Sequence, residues 1–276
     1  AKAARALTGR PVTTTWLAAL LLGSPLAVYT VFLGPDLPGA ALFALGCFGL
    51  ASRRAWLVAL AAAVLPWVHH KFLFSAVGLV IGALALSPRA ALLAGLGLLA
   101  GLVPEVLVIA GAVGVPVWPP SAFFAWQMSD VRVGYSLVFL LDTVPGLLAD
   151  RYAGLIWYPA WTLGLAGCWW WLRGGGAGRA VGSAAVPWLF VLSIYNNWTG
   201  GEGAPGRMLV MVFPSLALGL AALEQRARSP ALGPWVKAAV WLGIAHSLSL
   251  IYIPPLAFQS AKLKVEELAS RIAGTD

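Results

Sequence analysis

Nine apolar runs, bounded by glycine, proline and charged residues, follow one another along the chain at roughly 13–33, 38–52, 54–68, 71–87, 89–114, 153–172, 180–198, 207–224 and 234–253. Runs of this length read as helices that bury most of their circumference in something other than water. Of the 276 residues, 60% are hydrophobic and only 10% are charged, against about a quarter charged in a soluble domain. A water-facing exterior cannot be assembled from this set. The sequence therefore predicts an all-α, polytopic integral membrane protein with about nine transmembrane helices over 1–253. A short amphipathic tail over 254–276 follows Pro254-Pro255. The second, third and fourth runs are short for a bilayer and need thin membrane, re-entrance or shielding by neighbours.

The net charge of +8 would suggest nucleic acid in a soluble protein, but here its distribution sets orientation instead. With a cytoplasmic N-terminus, eleven of the eighteen basic residues fall in cytoplasmic segments, among them Arg53, Arg54, Arg89, Arg173 and Arg179. The expected location is a bacterial cytoplasmic membrane, with the C-terminus extracytoplasmic. Cys47 and Cys168 lie inside apolar runs and read as small packing residues. GGGAG at 174–178 reads as a tight turn, because no strand precedes it as a phosphate loop would require. Gly97 and Gly101 form a GxxxG pair suited to close helix packing.

Unusual chemistry collects on the outer side. The loop over 115–152 mixes proline, aromatic and charged residues, reading as interfacial amphipathic helices with Trp118 and Trp126 at headgroup depth. Its charged residues Asp130, Arg132, Asp142, Asp150 and Arg151 suit either acid/base work or a solvated salt-bridge network. Asn196-Asn197-Trp198-Thr199-Gly200-Gly201-Glu202-Gly203-Ala204-Pro205-Gly206-Arg207 has a backbone able to approach a ligand closely, with one charge of each sign before a helix. His69, His70 and Lys71 end the third run and supply donors for an anion at headgroup depth. Adjacent histidines without a third ligand make a poor metal site, and none is expected. Glu105, behind Pro104, is a carboxylate in the outer third of its run and should face a cavity or a partner. His246 reads as a buried, hydrogen-bonded residue.

LPWVHHKFLF, DRYAGLIWYPAWTLGLAG and WTGGEGAPGRMLVMVFPSLALGLA together resemble the C-terminal transmembrane half of bacterial GT-C glycosyltransferases, which use polyprenyl-phosphate sugars. The resemblance covers roughly 54–225. It implies transfer of a sugar from a polyprenyl-phosphate donor to an extracytoplasmic acceptor, with membrane lipid as solvent. On that implication Arg207, His69, His70 and Lys71 neutralise the lipid phosphate, Trp198 stacks on sugar or isoprenoid, and Glu202 or Glu105 binds sugar hydroxyls. Members of the superfamily usually carry the acceptor-activating acid in a long first outer loop. Here that loop is only Gly34-Pro35-Asp36-Leu37-Pro38, which leaves three alternatives: an upstream segment completes the site, the favoured one, a partner membrane subunit does, or the protein is a degenerate relative. The alternatives are a non-catalytic membrane scaffold or complex subunit and, behind it, a transporter. The cofactor is left open.

Overall fold

The computed structural model describes residues 35–113, 158–194, 207–226 and 232–252, with isolated positions between 137 and 145. The first apolar run, most of the 115–152 loop and the tail lie outside them. The described residues form eight α-helices and no strand: α1 Asp36–Ala51, α2 Ala55–Val68, α3 Leu73–Leu84, α4 Pro88–Val113, α5 Pro159–Arg173, α6 Gly176–Ser193, α7 Phe213–Arg226 and α8 Leu232–Tyr252. Short 3-10 segments, His70–Phe72 and Arg207–Val212, lead into α3 and α7. The all-helical expectation holds, with each described run of the sequence becoming one helix.

Some boundaries move for local reasons. The run at 71–87 starts with a 3-10 turn because His69 is extended, which ends α2. In GGGAG, only Gly174 and Gly175 form the turn. Gly176 has φ of 62° and opens α6, and Arg179 Nε donates to the Gly174 carbonyl at 2.8 Å. Pro66, Pro104 and Pro187 all sit inside helices that continue through them. Among the described residues, the stretch Pro88–Val108 of α4 is the one helix long and apolar enough to cross a membrane by itself. Asp36–Ala51, Ala55–Val68, His70–Leu84 and Leu209–Ala221 are apolar but shorter.

Three helix pairs approach so closely that backbone touches backbone. A Cβ at Gly97 or Gly101 of α4 would overlap the carbonyl oxygens of Ala59 or Ala63 on α2. Gly78 and Gly82 of α3 stand in the same relation to Ala184 and Ala180 of α6, and Gly164 and Gly167 of α5 to Leu216 and Gly219 of α7. Small residues four or three apart form a flat stripe that lets two helix axes close up and gain dispersion contacts along the seam. Trp67 Nε1 donates across the first seam to the Gly101 carbonyl at 2.8 Å. The GxxxG expectation for Gly97 and Gly101 is met, and the other two seams follow the same rule.

The seams also fix direction. Rising numbers pair with rising numbers between α2 and α4 and between α5 and α7, and with falling numbers between α3 and α6. The helices therefore run alternately up and down. One end of the bundle gathers the turns at 52–54, 85–87 and 174–175, and Arg53 reaches Gly176 there. Of the described basic residues, all but Lys71 and Arg207 belong to that end. At the core, α1 is enclosed by neighbours, with Phe43, Cys47 and Leu50 fully buried. Both thiols are free and meet Ser215: Cys47 Sγ is 3.5 Å from its hydroxyl, and Cys168 Sγ donates to its carbonyl at 3.2 Å.

A methyl at Gly167 would press on the backbone of α7, which cannot yield as a side chain does. Gly167→Ala is expected to cost about 1–3 kcal/mol. Gly95 faces open space, so Gly95→Ala should gain roughly 0.5–1 kcal/mol from helix propensity alone. Thermal unfolding of the two purified variants, followed by far-UV circular dichroism, checks the opposite signs.

Candidate functional site

At the bundle end opposite the basic turns, the chain leaves α2 and reverses into α3. His69 breaks the helix with φ −169° and ψ 133°, and its Nδ1 accepts the backbone N–H of Lys71 at 3.2 Å. As an acceptor Nδ1 carries no proton, which leaves Nε2 as the donor of that ring. Phe72 N–H closes the turn on the His69 carbonyl at 2.8 Å. The Phe72 ring is fully buried over Gly39 of α1, in space that any Cβ at Gly39 would occupy. It also packs against the rings of His69 and Trp188. Sequence-local capping and one aromatic thus pin the turn to α1.

Pinned there, Lys71 Nζ lies 2.5 Å from Asp36 Oδ1, with the carboxylate side chain 4% and the lysine 16% exposed. Asp36 occupies the first position of α1, where a carboxylate is favoured by the exposed amides of the helix start. The ammonium also stands 5.1 Å from the Phe72 ring centroid. His70 stacks near His69, with centroids 4.2 Å apart. Burial, and then the Lys71 charge, push the His70 pKa below the usual histidine value. Its ring is a neutral donor or acceptor at neutral pH rather than a second cation.

Glu105 is buried and lies on the α4 face that carries Gly97 and Gly101, one turn beyond Gly101 toward this same end. The segment Arg207–Val212 runs along α1. From Ser215, beside Cys47, the chain back to Arg207 climbs about 15 Å, and α1 from Cys47 back to Asp36 climbs about 16 Å. The Arg207 backbone therefore stands near the level of Asp36. Trp198 and Glu202 lie outside the described residues, as do Trp118, Trp126, Asp130, Arg132, Asp142, Asp150 and Arg151. A second polar group at this end joins Tyr158, at the start of α5, to α8: its ring meets His246 edge-on at 5.1 Å, beside buried Ser247.

Sequence reasoning singled out His69, His70 and Lys71 as anion-binding candidates but not Asp36, which the structure places against Lys71. The available signal was that Asp36 is the sole acidic residue before Glu105. Chemically, an ammonium and a carboxylate side by side, screened from water by Phe72, offer an anion and a hydroxyl adjacent docking points. Compared with protein-family models, with curated proteins and with solved structures, the chain matches none.

Removing one member of a buried pair strands the other. Lys71→Met or Asp36→Asn should each cost about 3–5 kcal/mol, and the double variant less than their sum, measured as a double-mutant cycle in denaturant. His70 adds a pH term. Its folded-state pKa is lower than its unfolded one, so the unfolded chain binds the extra proton. Stability should fall as pH drops through the unfolded histidine value, and His70→Gln should flatten that limb of the Tm-against-pH curve.

Proposed function

We propose that this chain is a polytopic membrane protein of the GT-C glycosyltransferase type, handling a lipid-linked sugar phosphate at the bundle end that carries Asp36 and Lys71. The membrane part of the reading is supported by an inverted distribution of polarity. The spanning window of α4 is only 17% buried, whereas the core helix of a soluble protein would be mostly enclosed. Leu92, Leu96, Leu99 and Leu107 are each more than half exposed along it, as are Trp56, Trp67, Trp235 and Trp241 elsewhere. Water would penalise such a surface, and hydrocarbon would not. Gathering of the basic turns at one end agrees with a cytoplasmic location for that end. The short α1 is compatible with a bilayer because its neighbours bury the face that carries Gly39, Phe43, Cys47 and Leu50.

The observation that carries the functional part is the buried Asp36–Lys71 pair beside two histidines, at the end of an otherwise apolar bundle. Charged groups at such depth are costly and mark sites of ion or substrate handling. In this reading Lys71 and Arg207 receive the phosphate of the polyprenyl donor. Asp36, at the start of α1 beside Lys71, takes the proton from the acceptor hydroxyl. The hydroxyl oxygen bonds to the anomeric carbon, the carbon–phosphate oxygen bond breaks, and the polyprenyl phosphate leaves as an anion. His69 and His70 hydrogen-bond to the phosphate or the sugar. Trp198 stacks on the donor, while Glu202 and Glu105 hold sugar hydroxyls.

The full chain in proteoliposomes, supplied with polyprenyl-phosphate sugars and an acceptor, tests this. Asp36→Asn is expected to lower transfer at least about 100-fold, as loss of a general base does, and Arg207→Ala to raise the donor concentration needed for half-maximal rate. Undiminished turnover in a folded Asp36→Asn variant overturns the assignment. Absence of transfer by the folded wild type, with every donor, favours the scaffold.

A further inference from the structure

At the basic end of the bundle, away from the Asp36 site, lies a cleft of about 240 Å³ lined by Arg53, Val58, Ala83, Leu86, Ser87 and Ala90, with Ala55 and Gly176 at its edges. This is about the volume of eight liquid waters. It suits a phosphate ester with the first carbons of its chains, not a whole lipid. Its walls are the apolar faces of α2, α3 and α4, while its rim carries a guanidinium. We propose that this cleft seats the headgroup of an anionic phospholipid from the cytoplasmic leaflet, an inference that rests on the membrane reading above.

Charge complementarity selects the occupant. Arg53 stands at the rim with Arg54 next to it, and Arg89 follows Ser87 at the start of α4. Ala55, Ala90 and Gly176 bring the first turns of α2, α4 and α6 to the cleft and Ala83 and Leu86 bring the C-terminal end of α3, so the positive charge there comes from the guanidinium groups. The apolar walls discriminate against a free anion and favour one attached to acyl chains. Basic recesses between helices on the cytoplasmic side are a recurrent means of holding anionic headgroups. Exposed leucines and tryptophans around the bundle put acyl chains within reach of the cleft's mouth.

Arg53 supplies a clean test. Its φ is 55°, and Arg54 N–H bonds to the Gly49 carbonyl at 2.8 Å while Arg53 N–H bonds to Leu50 at 3.2 Å. This is the helix-ending turn whose left-handed residue is usually glycine. Arg53→Gly therefore removes the charge while easing the backbone, and the fold should survive. Full-length protein is reconstituted in nanodiscs of mixed phosphatidylglycerol and phosphatidylcholine, and the lipid retained after detergent extraction is counted by native mass spectrometry.

Wild type should retain the anionic lipid about fivefold over its share of the mixture. Arg53→Gly should retain it in proportion only, with an equal or higher unfolding temperature. Ala90→Leu, which fills the cleft without changing charge, should do the same. Enrichment that survives Ala90→Leu places the lipid on the basic surface rather than in the cleft, and overturns the proposal. So does displacement of the lipid by millimolar inorganic phosphate, which would make the ligand a free anion. A chain that stays in the aqueous phase refutes the membrane reading and this inference together, whereas an embedded chain with no enrichment refutes this inference alone.

Discussion

Backbone-to-backbone contact at glycine and alanine is the constraint on which the rest of the bundle depends. Gly97 and Gly101 against Ala59 and Ala63, Gly78 and Gly82 against Ala184 and Ala180, and Gly164 and Gly167 against Leu216 and Gly219 set the spacing and direction of six of the eight described helices. Neither the basic end nor the Asp36 end would assemble without them. The first seam carries α2 and its terminal His69 into place, and the second holds α3 beneath Phe72. The third positions α7 so that Ser215 meets Cys47 and Arg207 stands level with Asp36. Each seam gains from many small dispersion contacts, which is why a single added methyl matters.

The two ends of the bundle divide the chemistry. One holds guanidinium groups at short turns and a cleft with apolar walls. The other holds carboxylate, ammonium and imidazole groups, buried enough that their pairing decides their behaviour. Between them the helices are almost wholly apolar: Ser52 and Ser193 donate to the Phe48 and Leu189 carbonyls at helix ends, Ser215 meets the Cys47 thiol inside, and buried Ser75 Oγ has no partner among the described residues.

How much of this was legible in the sequence depends on the range of the interaction. The described helices and the Gly97–Gly101 stripe follow from patterns within a few residues and lie close to where those patterns place them, although the turn at 174–178 shrinks to Gly174 and Gly175. The break after α2 is also local, but it turns on a His69 ring capping a backbone amide, and histidine has no strong prior for that role. Asp36 escaped because its meaning comes from Lys71, thirty-five residues on. In sequence it was merely a residue in a short loop. Tyr158 and His246 likewise become neighbours only once α5 and α8 pack. Pro104 reads as a helix breaker before Glu105, yet α4 continues through it.

The enclosure of α1 has a consequence for assembly. Its thiol at Cys47 meets Ser215 across 168 positions of chain, and its opening aspartate waits on Lys71. Until those partners have been synthesised, this helix has a charged start and a groove of glycines with nothing to fill it. Translation order therefore runs ahead of packing: α1 is made early, and the contact of its Cys47 with Ser215 can form only after the start of α7 has been synthesised.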